Sequence, residues 1–118
     1  MSPIYGNMVG GTAPLKAYAT KTVSIALLSD NWTQVIDENG DVIANKWSQV
    51  VLQDNTDITG YSKVDLQPSA DQLTIFHEKD LTFVAENEDG VVTVFCVGQA
   101  PINDYIIQAT VTEVVYNG

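Results

Sequence analysis

The chain has no arginine, one cysteine and one histidine, and five lysines stand against fifteen acidic residues in 118 positions, a net charge of −10. Each scarcity excludes something. Without arginine there is no guanidinium fork for phosphates or base edges, and the acidic field repels a nucleic-acid backbone. No nucleic-acid partner is expected. With Cys96 alone, no intrachain disulfide can form. One cysteine and one histidine also fall short of an ordinary zinc site built from this chain. No apolar run approaches the roughly 18 residues of a membrane-spanning helix, so no membrane insertion is expected. The opening residues lack a basic stretch followed by an apolar core, and no secretory signal is expected. Gly10-Gly11 leads into Thr-Ala-Pro rather than a helix, so no phosphate-binding loop is read there.

What is present fits one globular domain: 45% hydrophobic and 17% charged residues over 118 positions. The acids are spread out, with small clusters at Asp37, Glu38, Asp41 and at Glu86, Glu88, Asp89. Such dispersion reads as a solvated surface that resists aggregation.

Residues 1–21 follow neither the period of two nor that of 3.6, and carry Gly-Gly and two prolines. They are expected to form an extended arm or linker, with Ile4, Tyr5, Met8 and Val9 as its docking residues. The domain is expected over 22–118. From Thr22, Val23, Ile25 and Leu27 alternate with polar or small residues, the pattern of a half-buried strand. Trp32–Ile36 continues in extended character, and Asn39-Gly40 predicts a tight type I′ hairpin. The return strand is expected near Val42, and Trp47–Gln53 as a separate strand. Ser62–Gln67 reads as a strand stopped by Pro68. Ser69 and Gln72 have the spacing of a capping box, with Leu73, Phe76 and His77 on one helical stripe. Leu81, Phe83 and Ala85 begin the next strand, and Asp89-Gly90 makes a second hairpin turn. Val91–Val97 is apolar throughout, which predicts a central strand covered on both faces. Tyr105, Ile107, Ala109 and Val111 define the closing strand. The fold class is therefore mainly β: an antiparallel β-sandwich, Ig-like or jelly-roll-like, with one short helix.

Few residues offer chemistry. His77 is the one proton-transfer candidate near neutral pH, but no serine or cysteine is placed by sequence as its nucleophile. Cys96 lies inside VVTVFCV, where a small buried hydrophobe outweighs a reactive thiol. DENGD and NEDG gather oxygen ligands but lack the spacing of a calcium loop, and read as turns. No catalytic residue, metal or cofactor is expected. Trp32, Trp47 and Tyr61, with Tyr105, offer flat faces for a glycan. The competing reading is that the tryptophans fill the core.

The order of "TVSIALLSDNWTQ", "KWSQVVLQD…DITGYSKVDLQPS" and "LTFVAENEDGVVTVFCVGQAPINDYIIQATV" resembles a β-domain at the C-terminal ends of phage and prophage structural proteins of Gram-positive gut bacteria. The opening "YGNMVGG" resembles the start of small structural proteins in such phages. The resemblance implies a non-enzymatic virion component made in the bacterial cytoplasm: a tail-fibre or baseplate part, or a head-fibre or decoration protein. It further implies a homotrimer attached to other virion proteins by the N-terminal arm. The absence of a shaft favours a short appendage or capsid decoration. A carbohydrate-binding module for a host surface glycan is the alternative, and no active site is carried over.

Overall fold

The computed structural model describes residues Leu15–Asn117, with side chains described from Thr20 to Glu113. Seven strands and one α-helix follow in the order β1 (Leu15–Leu27), β2 (Thr33–Ile36), β3 (Val42–Leu52), β4 (Ser62–Gln67), α1 (Ala70–Glu78), β5 (Thr82–Glu88), β6 (Val91–Val97) and β7 (Tyr105–Asn117). They form two antiparallel sheets, ordered β1-β7-β4 and β2-β3-β6-β5. The mainly β sandwich with one short helix is thus the architecture. Between the sheets Ile25, Leu27, Val64, Ile107 and Val111 meet Val92, Val94 and Cys96, all buried. Burying each aliphatic side chain of this size contributes about 1.5–3 kcal/mol.

The sandwich has two poles. At one, β1 and β7 run on as a ribbon, from Ala19 opposite Glu113 to Leu15 opposite Asn117. The third strand, β4, begins only at Ser62, opposite Glu113, so the ribbon's last four residue pairs have no other neighbour in their sheet. Residues Leu15–Lys21, expected as arm, are therefore strand. Their partners lie at the far end of the chain, and no local period marks such pairing. Ile4, Tyr5, Met8 and Val9 lie outside the described residues. The opposite pole carries α1, the 3-10 turn Ser29–Asn31 and the loop before β7.

Three local expectations are corrected. Val42–Leu52 is one strand, not two. It bulges between Val42 and Trp47, which pair with Ile36 and Gln34, and Asn45 there takes a positive φ of 60°. At the first hairpin only Gly40 of the Asn39-Gly40 pair has positive φ. The Asp37 carboxylate accepts the N–H groups of Asn39 and Asp41, and Asp37 N–H bonds Asp41 O. That side-chain cap selects a three-residue loop with a glycine bulge over the two-residue type I′ turn. The Asp89-Gly90 turn does have positive φ at both residues, 54° and 88°. Finally, β6 is covered on one face only: Val92, Val94 and Cys96 are buried, while Val91 and Val97 are exposed. Among the described residues no layer lies over its other side.

Candidate functional site

A cleft of about 630 Å³ opens beneath α1 between β4 and the start of β5. It exists because of how the helix is started and stopped. Ser69 Oγ accepts the Gln72 N–H at 3.2 Å and Gln72 Oε1 accepts the Ser69 N–H at 3.1 Å, the capping box that the spacing predicts. Gln72 Nε2 then donates to Ile106 O at 2.7 Å, tying the helix to β7. At the other end Leu81 N–H bonds Phe76 O and Asp80 N–H bonds His77 O. With Asp80 at a φ of 56° this is a Schellman stop, and the paired burial of Phe76 and Leu81 completes it. Gly98 packs against the same corner. Its φ is +131°, and a Cβ there would sit 2.6 Å from Asp80 O, so only glycine fits.

Aromatic packing closes this pole. Phe76 meets Phe83 edge-on at 4.8 Å and Tyr105 edge-on at 5.0 Å, and Trp32 stacks on Phe83 at 5.8 Å. The 3-10 turn that carries Trp32 inward is held by Gln49, a buried amide on β3. Gln49 Nε2 donates to Leu28 O and its Oε1 accepts the Leu28 N–H, at 3.1 and 3.2 Å. Asp104 accepts the Ser29 N–H at 2.7 Å. The cleft walls are Leu66, Pro68, Leu73, Phe76, Leu81 and Phe83, with Gln67, Thr82 and His77 as polar members. Its walls are mainly apolar, and among the described residues no lysine lines it, which suits an apolar guest.

The sequence-selected residues do not assemble. Trp32 and Trp47 both pack against the core. The Trp47 indole N–H donates to Gly98 O at 3.1 Å, while that of Trp32 is buried without an acceptor among the described residues. Tyr61 is 85% exposed, but it lies in the loop before β4, at the ribbon pole. The three therefore share no platform. His77 is exposed in the last turn of α1. Cys96 is buried on β6, where burial pushes its thiol from 9.0 up to about 11, and its Sγ donates to Gln99 O at 3.8 Å. Among the described residues no three His, Cys, Asp or Glu side chains gather as a metal site, and no helix is long and apolar enough to cross a membrane.

At the ribbon pole the loop before β4 is locked to the second hairpin. Asn87 Nδ2 donates to Thr59 O and Ser62 O, both at 2.8 Å, and its Oδ1 accepts the Gly90 N–H. Lys21 reaches Asp57 at 2.6 Å, a bond that raises the lysine's affinity for its proton. One surface escapes the sequence reading altogether: the outer face of β3, β6 and β5, where Val50, Val84 and Val97 stand exposed beside Phe95. Comparison with protein-family models, curated proteins and solved structures finds no match for the chain.

Proposed function

We propose that the chain is a non-enzymatic structural protein of a phage or prophage particle, a short head-fibre, decoration, tail-fibre or baseplate component. Residues 1–14, with Ile4, Tyr5, Met8 and Val9, attach it to other virion proteins, and the sandwich is the displayed part of a homo-oligomer. The observation that carries this reading is the β1–β7 ribbon. It starts at Leu15 and projects past the third strand of its sheet, so the segment preceding it joins the domain at one pole. The cleft and the aromatic plug lie at the other pole. A domain joined at one end and closed at the other suits attachment and display. The glycan reading has Tyr61 as its one fully exposed aromatic and carries less.

The test is deletion of residues 1–14 with β1 left whole. The shortened chain should keep the wild-type circular dichroism and melting curve, and should no longer co-purify with assembled particles. Particle incorporation equal to wild type would overturn the reading.

A further inference from the structure

We infer that the outer face of the β2-β3-β6-β5 sheet is the surface through which copies of this chain meet. The register places Val84, Phe95 and Ser48 in one row across β5, β6 and β3. One row toward α1, Val97 lies between Thr82 and Lys46; one row the other way, Thr93 lies between Glu86 and Val50. Val50, Val84 and Val97 are 52%, 49% and 51% exposed, and Phe95 stands outside the core cluster. At normal strand and residue spacing these three rows span about 300 Å², with Val50, Val84, Phe95 and Val97 as their apolar members inside a polar and charged rim. The other sheet's outer face is more polar: it carries Thr22, Ser24, Gln108, Thr110, Thr112 and Lys63, with Ile106, 64% exposed, at its end beside Ala26.

Charge identifies the occupant. Lys46 sits at one corner of the patch, its ammonium 5.4 Å from the Phe95 ring centre. Glu86 occupies the diagonally opposite corner, with Glu88 beyond it facing Val91. A basic partner would meet Lys46 with repulsion and an acidic partner would meet the two glutamates. A second copy satisfies both corners. A twofold axis lying in the face and perpendicular to the diagonal sets Phe95 on Phe95 and brings Lys46 of each copy over Glu86 of the other. The same opposed corners serve a closed ring, in which the β3 side of each copy lies against the β5 side of the next. A stable interface buries about 800 Å² per partner, so the charged and threonine rim must join the valines, and the contact is specific through its charges.

This inference rests on the homo-oligomer of the reading above but not on its particle, and its test uses the purified full chain alone. Sedimentation equilibrium up to millimolar concentration should show reversible self-association. Val84→Lys, at a half-exposed site, should leave the melting curve unchanged and abolish association. Lys46→Glu alone and the double variant Glu86→Lys/Glu88→Lys should each weaken it by about tenfold or more, and mixing the two variants should restore it. A wild-type chain that stays monomeric throughout, association that survives Val84→Lys, or charge variants that fail to rescue one another would each overturn the proposal. Unchanged particle incorporation after deletion of residues 1–14, with self-association intact, would fault the attachment reading and leave this one standing.

Discussion

Cys96 sits fully buried near the end of β6, and burial alone raises its thiol to about 11 from an ordinary 9.0. The neutral thiol is the form the folded chain prefers. Its contribution to stability is therefore complete below pH 9 and is lost as pH rises toward 11, because the unfolded chain releases that proton first. The expected outcome is a denaturation midpoint that falls over this range more steeply in the wild type than in Cys96→Ala. An aromatic disulfide reagent should label the thiol only at the rate of unfolding; prompt stoichiometric labelling of the native chain would contradict its burial. The core role of this residue was legible from its apolar neighbours. The role of Gln49 was not. The alternation puts it inward, yet the backbone it satisfies belongs to Leu28, twenty-one positions away, and sequence spacing carries no sign of that.

Among the elements, α1 was the most legible because its start signal is local: Ser69, Gln72 and the preceding proline lie within five residues. Ser69→Ala removes one arm of the capping box and leaves the Gln72 N–H without its partner. The expected loss is about 1 kcal/mol of stability, read as a lower denaturant midpoint at unchanged slope. Because Gln72 also holds Ile106 O, Gln72→Ala should cost more than Ser69→Ala. Strand β6 teaches the opposite lesson. Its continuous apolar run reads as covered on both faces, whereas β5 alternates and plainly turns Val84 outward with Thr82 and Glu86. The Asp89-Gly90 turn pairs Val84 with Phe95, and paired residues share a face. The hairpin therefore already implied that Phe95 and Val97 stand on the open side. Composition outvoted register there, and the surface was missed for that reason.

For the molecule as a whole, the boundary between arm and domain decides what truncation does. Among the described side chains, which begin at Thr20, the first buried hydrophobic is Ile25. Yet β1 pairs with β7 without interruption from Leu15↔Asn117 to Leu27↔Tyr105. Removing residues 1–14 leaves every one of these pairs intact. Removing 1–20 strips Leu15–Thr20 from β7 and exposes an unpaired strand edge over Thr112–Asn117. That edge is a template for unwanted pairing, and its lost backbone bonds are expected to cost about 1–3 kcal/mol. The longer truncation should therefore melt lower than the shorter one and show concentration-dependent aggregation, while near-identical core signals in near-ultraviolet circular dichroism persist in both. Equal melting temperatures for the two truncations would mean that the ribbon adds nothing to the fold. The domain would then begin where the residue alternation first becomes visible, at Thr22, instead of where β1 begins.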